Sequence, residues 1–495
     1  MRLQKVWISE YKNLKNFTLT FDGNSFIDVF VGKNGTGKSN LFEALIEIFR
    51  HLYENNYEIP FNYIIHFELD GSDKKIEWDG ARFKLGERQQ KTIRRTKLPE
   101  NILIYYSGHN TKVTELVQAY EESFKKAIKG AEIGETRKFI GIGKEYKQLL
   151  LSVMLLQKED NKARQFICAK LGIKEIASEL KLVLKRPFYA KQKSFDIVNN
   201  DETDKYWKPE GITKEFLDLI TKCESDNTKG PVRSEGYLAK DELYILYLDI
   251  YKIRLEFLEK AQELFRQFDN LKIIEMLEEI SIQITLEDGT KTTTHSFSDG
   301  QFQSVYIYSI IELFKDRNCV TLLDEPDCFL HPEWQFDFLK QVFVITDTTA
   351  KYNHVLMSTH SATTLVSSDD HTIKLFKFDD RNKIVHHSVS KKYAIQQLSA
   401  GLILLNEEKQ TLSIIHKIRL ERKPVLFTEG SSDPLVIETA WHKLRTTVMP
   451  FISIYAFNDS YLGRLIQDEK VHNENGVSHC SDYLILMRHI MFGTV

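Results

Sequence analysis

The chain has 495 residues, which exceeds one ordinary domain and predicts two or three folded units. A hydrophobic content of 42% suffices for a large core, while a net charge of −3 excludes a globally basic nucleic-acid-binding protein and leaves only local patches for that purpose. The five cysteines lack metal-ligand spacing, and the chain shows neither a signal peptide nor an apolar run of the roughly 18 residues that a membrane span needs. We therefore expect reduced thiols, no membrane association and a cytoplasmic location.

A glycine-rich loop stands near the start of the chain. Strand patterns at 3–8 and 17–21 precede a buried apolar run at 26–31, and an amphipathic helical pattern occupies 40–49. The loop between them fits the phosphate-binding pattern of a glycine, four residues and then Gly-Lys-Ser. The alternative is an ordinary glycine-rich turn between a strand and a helix. The candidate nucleotide-binding residues are Gly32, Lys33, Asn34, Gly35, Thr36, Gly37, Lys38, Ser39 and Asn40.

The chemistry expected of this loop follows from its residue types. Glycines let several backbone N–H groups point at one anion, and the following helix N-terminus adds partial positive charge. Lys38 has the reach to contact terminal phosphates, and the Ser39 hydroxyl is suited to a magnesium ion. The sequence therefore predicts ATP and Mg²⁺ as ligands.

The middle of the chain changes its periodicity. Strand patterns at 63–69, 75–78 and 102–106 give way to helical spacing at 113–129, 144–158 and 241–268. In the last of these, Leu255, Leu258, Phe265 and Phe268 fall on one helical face. We therefore expect a helical insertion over 113–279. A strand at 280–286 with a turn at Asp288 and Gly289 follows, and strands then alternate with helices as in a mostly parallel sheet.

A second constellation lies in the region after the insertion. The apolar run 319–323 ends in Asp324 and Glu325, the pattern of the acidic strand of a phosphate-loop ATPase. Asp324 would hold magnesium with Ser39, and Glu325 would act as the general base toward water. The alternative is a strand that merely ends in an acidic turn. A third buried run, 355–359, is followed by His360, for which a structural role is the alternative.

The segment 298–301 reads Ser-Asp-Gly-Gln and precedes a helical pattern at 302–314. It resembles the signature motif of ABC-type ATPases, with aspartate in place of the first glycine. A serine hydroxyl, a glycine N–H and a helix N-terminus would form a second phosphate cradle, which makes Ser298, Gly300 and Gln301 candidate nucleotide ligands. A helix cap by Ser298 is the alternative.

These four motifs together resemble ABC-type ATPases of the chromosome-maintenance and recombination class. The stretch 323–332 also resembles the acidic motif of the overcoming-lysogenization-defect nucleases and related phage-defence ATPases, although Asp327 stands where those proteins have glutamate. The resemblance implies an α/β ABC-type P-loop head, with a mixed sheet and flanking helices. It also implies that His360 contacts the terminal phosphate and that two copies form a head-to-tail dimer enclosing two ATP molecules.

The end of the chain resembles the start of a topoisomerase-primase (TOPRIM) fold. An apolar run at 424–427 leads to Glu429, Gly430 and Asp433, and a helical pattern and a second apolar run follow. The later Asp-x-Asp pair of that fold is missing. Three readings stay open: an active nuclease with Glu429 as metal ligand, a remnant used for docking, and a coincidental capped helix. The predicted divisions are 1–112, 113–279, 280–420 and 421–495.

The resemblance gives the functional hypothesis. We expect an ATPase that is sensor and scaffold of an antiviral defence complex and controls a nuclease from a separate subunit. The alternatives are a nuclease in its own right and a DNA-repair or chromosome-organising clamp. Basic runs at 91–97 and 181–193 leave DNA or RNA binding open, although solvated faces explain such runs more often.

Overall fold

The structure of the chain is a computed structural model that divides into two compact units, Met1–Gly401 and Leu402–Val495. It describes residues 1–21, 26–54, 57–93, 96–106, 111–127, 137–198, 204–226, 236–257, 261–297, 299–328, 330–346, 352–366, 373–399, 425–428, 433–444 and 450–455.

The centre of the first unit is a seven-stranded sheet in which all neighbours run parallel except the last hairpin, β17–β18. Its spatial order is β18-β17-β3-β16-β15-β8-β9. The inner strands are buried on both faces, which explains their continuous apolar sequences. The strands are β3 (Ile27–Val31), β8 (Asn101–Tyr106), β9 (Phe139–Ile142), β15 (Cys319–Asp324), β16 (Asn353–Thr359), β17 (Ile373–Phe378) and β18 (Ile384–Val389).

A second sheet is antiparallel and has six strands in the order β2-β1-β4-β5-β6-β7. Apolar and polar residues alternate along β1 and β4, so one face of each is buried. The buried side chains of this sheet, of helix α1 (Lys38–Tyr53) and of the central sheet form one core, which places the helix between the two sheets. The strands are β1 (Arg2–Tyr11), β2 (Leu14–Thr20), β4 (Tyr63–Leu69), β5 (Ser72–Trp78), β6 (Phe83–Leu85) and β7 (Arg88–Gln90).

The predicted helical insertion over 113–279 is wrong in its architecture, because most of a five-stranded antiparallel sheet lies within it. The sheet has the order β11-β12-β10-β13-β14. Its long central strand pairs with β12 on one side and with β13 on the other. The strands are β10 (Ile173–Lys185), β11 (Tyr237–Leu238), β12 (Leu243–Asp249), β13 (Leu277–Leu286) and β14 (Lys291–Thr293).

The helix predicted at 241–268 is correspondingly wrong in its first part. Strand β12 occupies that part, and every second one of its residues is buried, the period of a strand and not of a helix. The helical remainder is interrupted, and Leu255 is 58% exposed, whereas Phe265 and Phe268 are buried. Leu258 lies outside the described residues. Aromatic and aliphatic residues fit both periods over so short a run, which is why the pattern misled.

The helices cover the sheets, and none that the structure describes is long and apolar enough to cross a membrane. Besides α1 the first unit has α2 (Thr111–Ala127), α3 (Lys147–Leu155), α4 (Lys162–Leu171), α5 (Gly211–Lys222), α6 (Ile250–Glu256), α7 (Ala261–Ile273), α8 (Asp299–Phe314), α9 (Pro332–Thr346), α10 (Ala362–Val366) and α11 (Lys391–Leu398). Short 3₁₀ turns occupy Lys144–Tyr146, Phe188–Ala190, Lys193–Phe195 and Lys205–Trp207.

Two buried ionic networks tie these elements together. The Arg137 guanidinium, 2% exposed, contacts the Asp269 carboxylate of α7 at 2.6 Å. In the central sheet the Asp28 carboxylate accepts from His354 Nε2 at 2.9 Å and lies 3.5 Å from the Lys374 ammonium. Buried charges of this kind are tolerated only when they are paired, so each network fixes the elements that supply its members.

The second unit contains a parallel pair of strands, β19 (Val425–Thr428) and β20 (Ile452–Tyr455), in register from Val425 opposite Ile452 to Thr428 opposite Tyr455. Helix α12 (Asp433–Leu444) lies between them in sequence, so the segment is a β-α-β unit. The predicted second strand and helix of the tail are confirmed. Glu429 and Cys480 lie outside the described residues.

Candidate functional site

Parallel pairing of the central strands brings the predicted motifs to one edge of the sheet. Strand β16 lies between β15 and β3, with Ser358 opposite Asp324 on one side and opposite Phe30 on the other. The carboxyl ends of all three strands therefore point the same way. The phosphate loop follows β3, the acidic pair ends β15 and His360 follows β16, so residues more than 280 positions apart meet there.

The phosphate loop has the close packing that its glycines permit. Gly37 has a φ of 88° immediately before α1, and a Cβ there would lie 2.7 Å from Ile384 Cδ1. Any side chain would therefore meet both conformational strain and a steric clash. The Thr36 hydroxyl donates to the Lys33 carbonyl at 2.7 Å, which closes the loop on itself. Lys33, Asn34 and Gly35 are exposed at its tip.

Lys38 lies inside this loop. Its ammonium donates to the Gly32 carbonyl at 2.8 Å and to the Lys33 carbonyl at 3.4 Å. Burial lowers the pKa of Lys38, while the Glu325 and Asp324 carboxylates oppose that shift. A buried cation inside a phosphate loop is suited to bind the charged end of a polyphosphate.

The turn between β1 and β2 supports the loop from outside. The Asn13 amide donates to the Gly35 carbonyl at 2.9 Å, and its oxygen accepts from the Asn40 side chain at 2.5 Å. Asn40 was predicted as a nucleotide ligand, and the structure places its amide on Asn13. Asn13 itself is a supporting residue that the sequence does not reveal, because the contact joins segments more than 20 residues apart.

Ser39 and Asp324 meet as the sequence predicts. The Ser39 hydroxyl donates to Asp324 Oδ1 at 3.1 Å, and the buried Ser358 hydroxyl donates to the same oxygen at 2.8 Å. Adjacent ligands of an octahedral Mg²⁺ with bonds of about 2.1 Å lie about 3 Å apart, so this pair of hard oxygen donors fits that ion. No cluster of three or more histidine, cysteine or acidic side chains suited to a metal occurs among the described residues.

Glu325 follows in a strained turn. Its φ of 48° is the left-handed conformation, which costs a residue with a side chain about 1–2 kcal/mol. The backbone N–H of Glu325 donates to Ser358 Oγ at 3.0 Å, so one serine hydroxyl binds both acidic residues. The strain has a geometric consequence, since the turn aims the Glu325 carboxylate across the sheet edge toward the end of β16.

The Glu325 carboxylate contacts the His360 imidazole. His360 Nδ1 lies 3.3 Å from Glu325 Oε1, and both side chains are partly exposed, His360 at 43% and Glu325 at 26%. The hydrogen bond with Glu325 is the main reason that the pKa of His360 is raised above its ordinary value, and burial opposes it. A carboxylate and an imidazole in contact at a solvent-accessible edge are able to hold a water molecule and accept its proton.

The signature segment is described only in part. Helix α8 begins at Asp299, which places Gly300 and Gln301 in its first turn, and Ser298 lies outside the described residues. The approach to this helix is anchored by α3, because the Lys147 ammonium donates to the Phe297 carbonyl. Gln148, also of α3, contacts His295 Nδ1 at 2.5 Å.

Sequence reasoning missed the residues that support the acidic turn from below. Ser358 directly follows the apolar run 355–357 of β16, a signal that could have attracted attention because a polar residue buried in a parallel strand needs a partner. Asp327 was noted only as a departure from the usual glutamate. Its partners Thr359 and Thr364 gave no local signal.

The sheet order, the phosphate loop and the acidic strand define an α/β P-loop ATPase with an ABC-type head. The chain belongs to the AAA ATPase domain family, whose family model matches residues 1–364. The protein is therefore an ATPase, as the sequence predicted.

Among solved structures, the chain is similar to the SMC head domain from Thermotoga maritima, at 11% identity over 79% of this chain and 99% of that one, with a TM-score of 0.35. It is similar also to the Smc head domain with a coiled coil and joint from Pyrococcus yayanosii, at 13% identity over 81% and 99% of the two chains and a TM-score of 0.37. The recombination mediator protein RecF of the RecFOR pathway matches at 14% identity over 78% of this chain and 98% of that one, with a TM-score of 0.33. The family assignment rests on the family match and not on these likenesses.

Proposed function

We propose that this ATPase hydrolyses Mg²⁺-ATP at the sheet edge described above, with Glu325 as general base and His360 as its partner. The observation that carries the proposal is the convergence of two pairs there, Ser39 with Asp324 at 3.1 Å and Glu325 with His360 at 3.3 Å. Phosphoryl transfer to water needs two parts in neighbouring positions: a pair of magnesium ligands, and a general base with the residue that orients it.

Ser39 and Asp324 would hold the magnesium ion, which supplies charge neutralisation on the phosphate oxygens when it is bound. The phosphate loop residues 32–40 bind the polyphosphate through backbone N–H groups, and the Lys38 ammonium adds a fixed positive charge. Glu325 accepts a proton from the attacking water. His360 orients the Glu325 carboxylate through the contact between Nδ1 and Oε1. The resemblance to ABC-type ATPases implies that His360 would also contact the terminal phosphate.

The complete site requires a second copy of the chain. The signature residues Ser298, Gly300 and Gln301 would contact the triphosphate that lies on the phosphate loop of the partner, so that two ATP molecules join two heads in head-to-tail symmetry. The resemblance of the segment 298–301 to the ABC signature supports this arrangement. ATP binding would then close the dimer, and hydrolysis would release it.

Two substitutions test the site on the full-length protein. Lys38→Ala is expected to abolish nucleotide binding, measured by isothermal titration with ATP and magnesium. Glu325→Gln is expected to retain ATP-dependent dimerisation in light scattering while turnover falls about 10²- to 10⁴-fold, the usual contribution of a general base. Lys15→Ala removes a lysine that is 63% exposed and outside the site, and serves as the matched control. Undiminished turnover of Glu325→Gln would contradict the assignment.

We further propose that the ATPase is the sensor and scaffold of an antiviral defence complex and controls a nuclease supplied by a partner chain. The resemblance of residues 323–332 to the acidic motif of phage-defence ATPases supports this role. The tail supports it too, since its β-α-β unit resembles the start of a TOPRIM fold. We therefore take the segment 421–495 as a docking remnant.

The nuclease hypothesis is testable by isolation of the native complex. We expect a nuclease subunit to co-purify with the wild-type chain. Helix α12 exposes Leu435 at 68% and Val436 at 63%, and Leu435→Arg is expected to weaken that association. If the isolated chain cleaves plasmid DNA with magnesium and Glu429→Ala abolishes the cleavage, the chain is a nuclease in its own right.

The first part of the basic run 181–193 gives little support to the clamp alternative. Lys181 pairs with Glu279 at 2.9 Å, Lys185 with Glu278 at 2.6 Å, and Arg186 with Asp196 at 2.7 Å. Carboxylates therefore neutralise these three cations, which reduces their contribution to phosphate binding. ATP-dependent retention of circular DNA by the purified chain would restore the clamp as the better account.

A further inference from the structure

The acidic turn continues into a carboxyl group that the proposed chemistry does not use. Asp327 lies three residues beyond Asp324 and is 1% exposed, unlike the accessible Glu325. A carboxyl group is rarely buried so completely without a specific set of partners.

Its partners come from the opposite side of the site. Asp327 Oδ2 accepts from the Thr359 hydroxyl at 2.6 Å and also from the Thr364 hydroxyl. Thr359 is the last residue of β16 and directly precedes His360, whereas Thr364 lies in α10, which begins two residues after His360. Both threonines are fully buried. The carboxyl group of one catalytic segment is thus bonded to the residues on either side of His360.

The same connection is made a second time through Gln335 of α9. The Gln335 amide donates to the Asp327 carbonyl at 3.0 Å, and its oxygen accepts from the Ser361 hydroxyl at 3.0 Å. The Ser361 N–H in turn donates to Thr359 Oγ1 at 3.0 Å. These contacts form a closed ring of hydrogen bonds beneath His360, which we call the Asp327 ring: Asp327, Gln335, Thr359, Ser361 and Thr364.

The ring encloses the Asp327 carboxyl group away from water. Burial raises the pKa of Asp327, and the two threonine hydroxyls only partly oppose the shift. Asp327 Oδ1 has no hydrogen-bond partner within the described part of the chain. What the ring requires from residue 327 is therefore an acceptor oxygen toward the threonines.

From this geometry we infer that Asp327 is a positioning residue for ATP hydrolysis: it fixes the Glu325 turn to the end of β16 and so sets the distance between Glu325 and His360. The inference rests on the proposed function of that pair. A displacement of about 1 Å at a catalytic pair costs up to about 10²-fold in rate, which is the scale expected if the ring is broken.

The test compares steady-state ATP hydrolysis by four variants of the full-length protein. Asp327→Ala and Thr359→Val each break the ring and are expected to lower kcat about 10- to 100-fold while KM for ATP changes less than about threefold, because nucleotide binding uses other residues. Asp327→Asn keeps an acceptor oxygen and is expected to recover most of the rate. Thr213→Val is the matched control, since Thr213 is buried and its hydroxyl has no partner among the described residues.

The outcomes separate the inference from the proposal beneath it. If the wild-type protein shows no hydrolysis that depends on Lys38, the proposed function fails. If the wild-type protein is active and Thr359→Val retains the same kcat as Thr213→Val, only the role of the ring is overturned. An Asp327→Asn variant as slow as Asp327→Ala would also overturn it, because the carboxylate charge would then be what matters. Should Asp327→Ala fail to fold, Thr359→Val still decides the matter.

Discussion

Ser358 offers the sharpest single test of how the acidic turn is supported. Its hydroxyl donates to Asp324 Oδ1 at 2.8 Å and accepts the Glu325 N–H at 3.0 Å. The residue is fully buried. Ser358→Ala removes one oxygen and leaves both acidic residues without this partner, while the strand itself tolerates alanine sterically. We therefore expect a loss of both stability and turnover.

The size of the stability loss follows from the two bonds. A hydrogen bond to a charged group is worth about 1.5–3 kcal/mol, and an unsatisfied N–H costs about 1–3 kcal/mol, less when the site is only part-buried, as it is for the Glu325 N–H. We take about 3 kcal/mol for the sum. An unfolding entropy of about 2.1 cal/mol/K per residue gives the 401-residue first unit about 0.8 kcal/mol/K, so its melting temperature should fall by about 3–4 °C.

The assay is differential scanning calorimetry of the full-length protein, combined with ATP turnover. Ser152→Ala is the matched control, because Ser152 is equally buried and its hydroxyl has no partner among the described residues. We expect this control to change the melting temperature by less than about 1 °C and to leave turnover unchanged. Equal shifts for the two variants, or full activity of Ser358→Ala, would refute the reasoning.

Three further predictions follow from other contacts. The pKa of His360 is raised in the folded protein, so its pairing with Glu325 stabilises the fold fully below the unfolded pKa near 6.5, and this stabilisation is lost as the pH rises through the folded pKa. Glu325→Gln should lower the pKa of His360 in an NMR titration. An unchanged pKa would contradict the pairing. Asp269→Ala removes the buried carboxylate partner of Arg137 and leaves the guanidinium its ion pair with the partly exposed Glu121, so the substitution should cost about 1.5–3 kcal/mol in calorimetry, more than the substitution of a surface aspartate. Lys147→Met removes the contact with the Phe297 carbonyl and should weaken ATP-dependent dimerisation in light scattering; an unaltered dimer would exclude this anchor.

Local sequence was sufficient where a motif and its secondary structure coincide. The glycine pattern before a helix, the apolar run before Asp324 and the apolar run before His360 each predicted a strand or loop that the structure confirms. Their meeting at one edge could also be expected, because parallel strands bring their carboxyl ends together. The same reasoning was wrong for strand β12, where a short run of aliphatic and aromatic residues fits either period.

The sequence by itself determined the parts of this protein that depend on neighbours in the chain: the phosphate loop, the acidic strand end and the class of ATPase. Only the tertiary structure decided which polar groups support them, namely Asn13 against the loop and Ser358 and Asp327 beneath the acidic turn. The physical reason is that such a contact depends on the distance between two atoms across the fold. Strand order and register set that distance, and the residues on one side of the contact do not suffice to predict either of them.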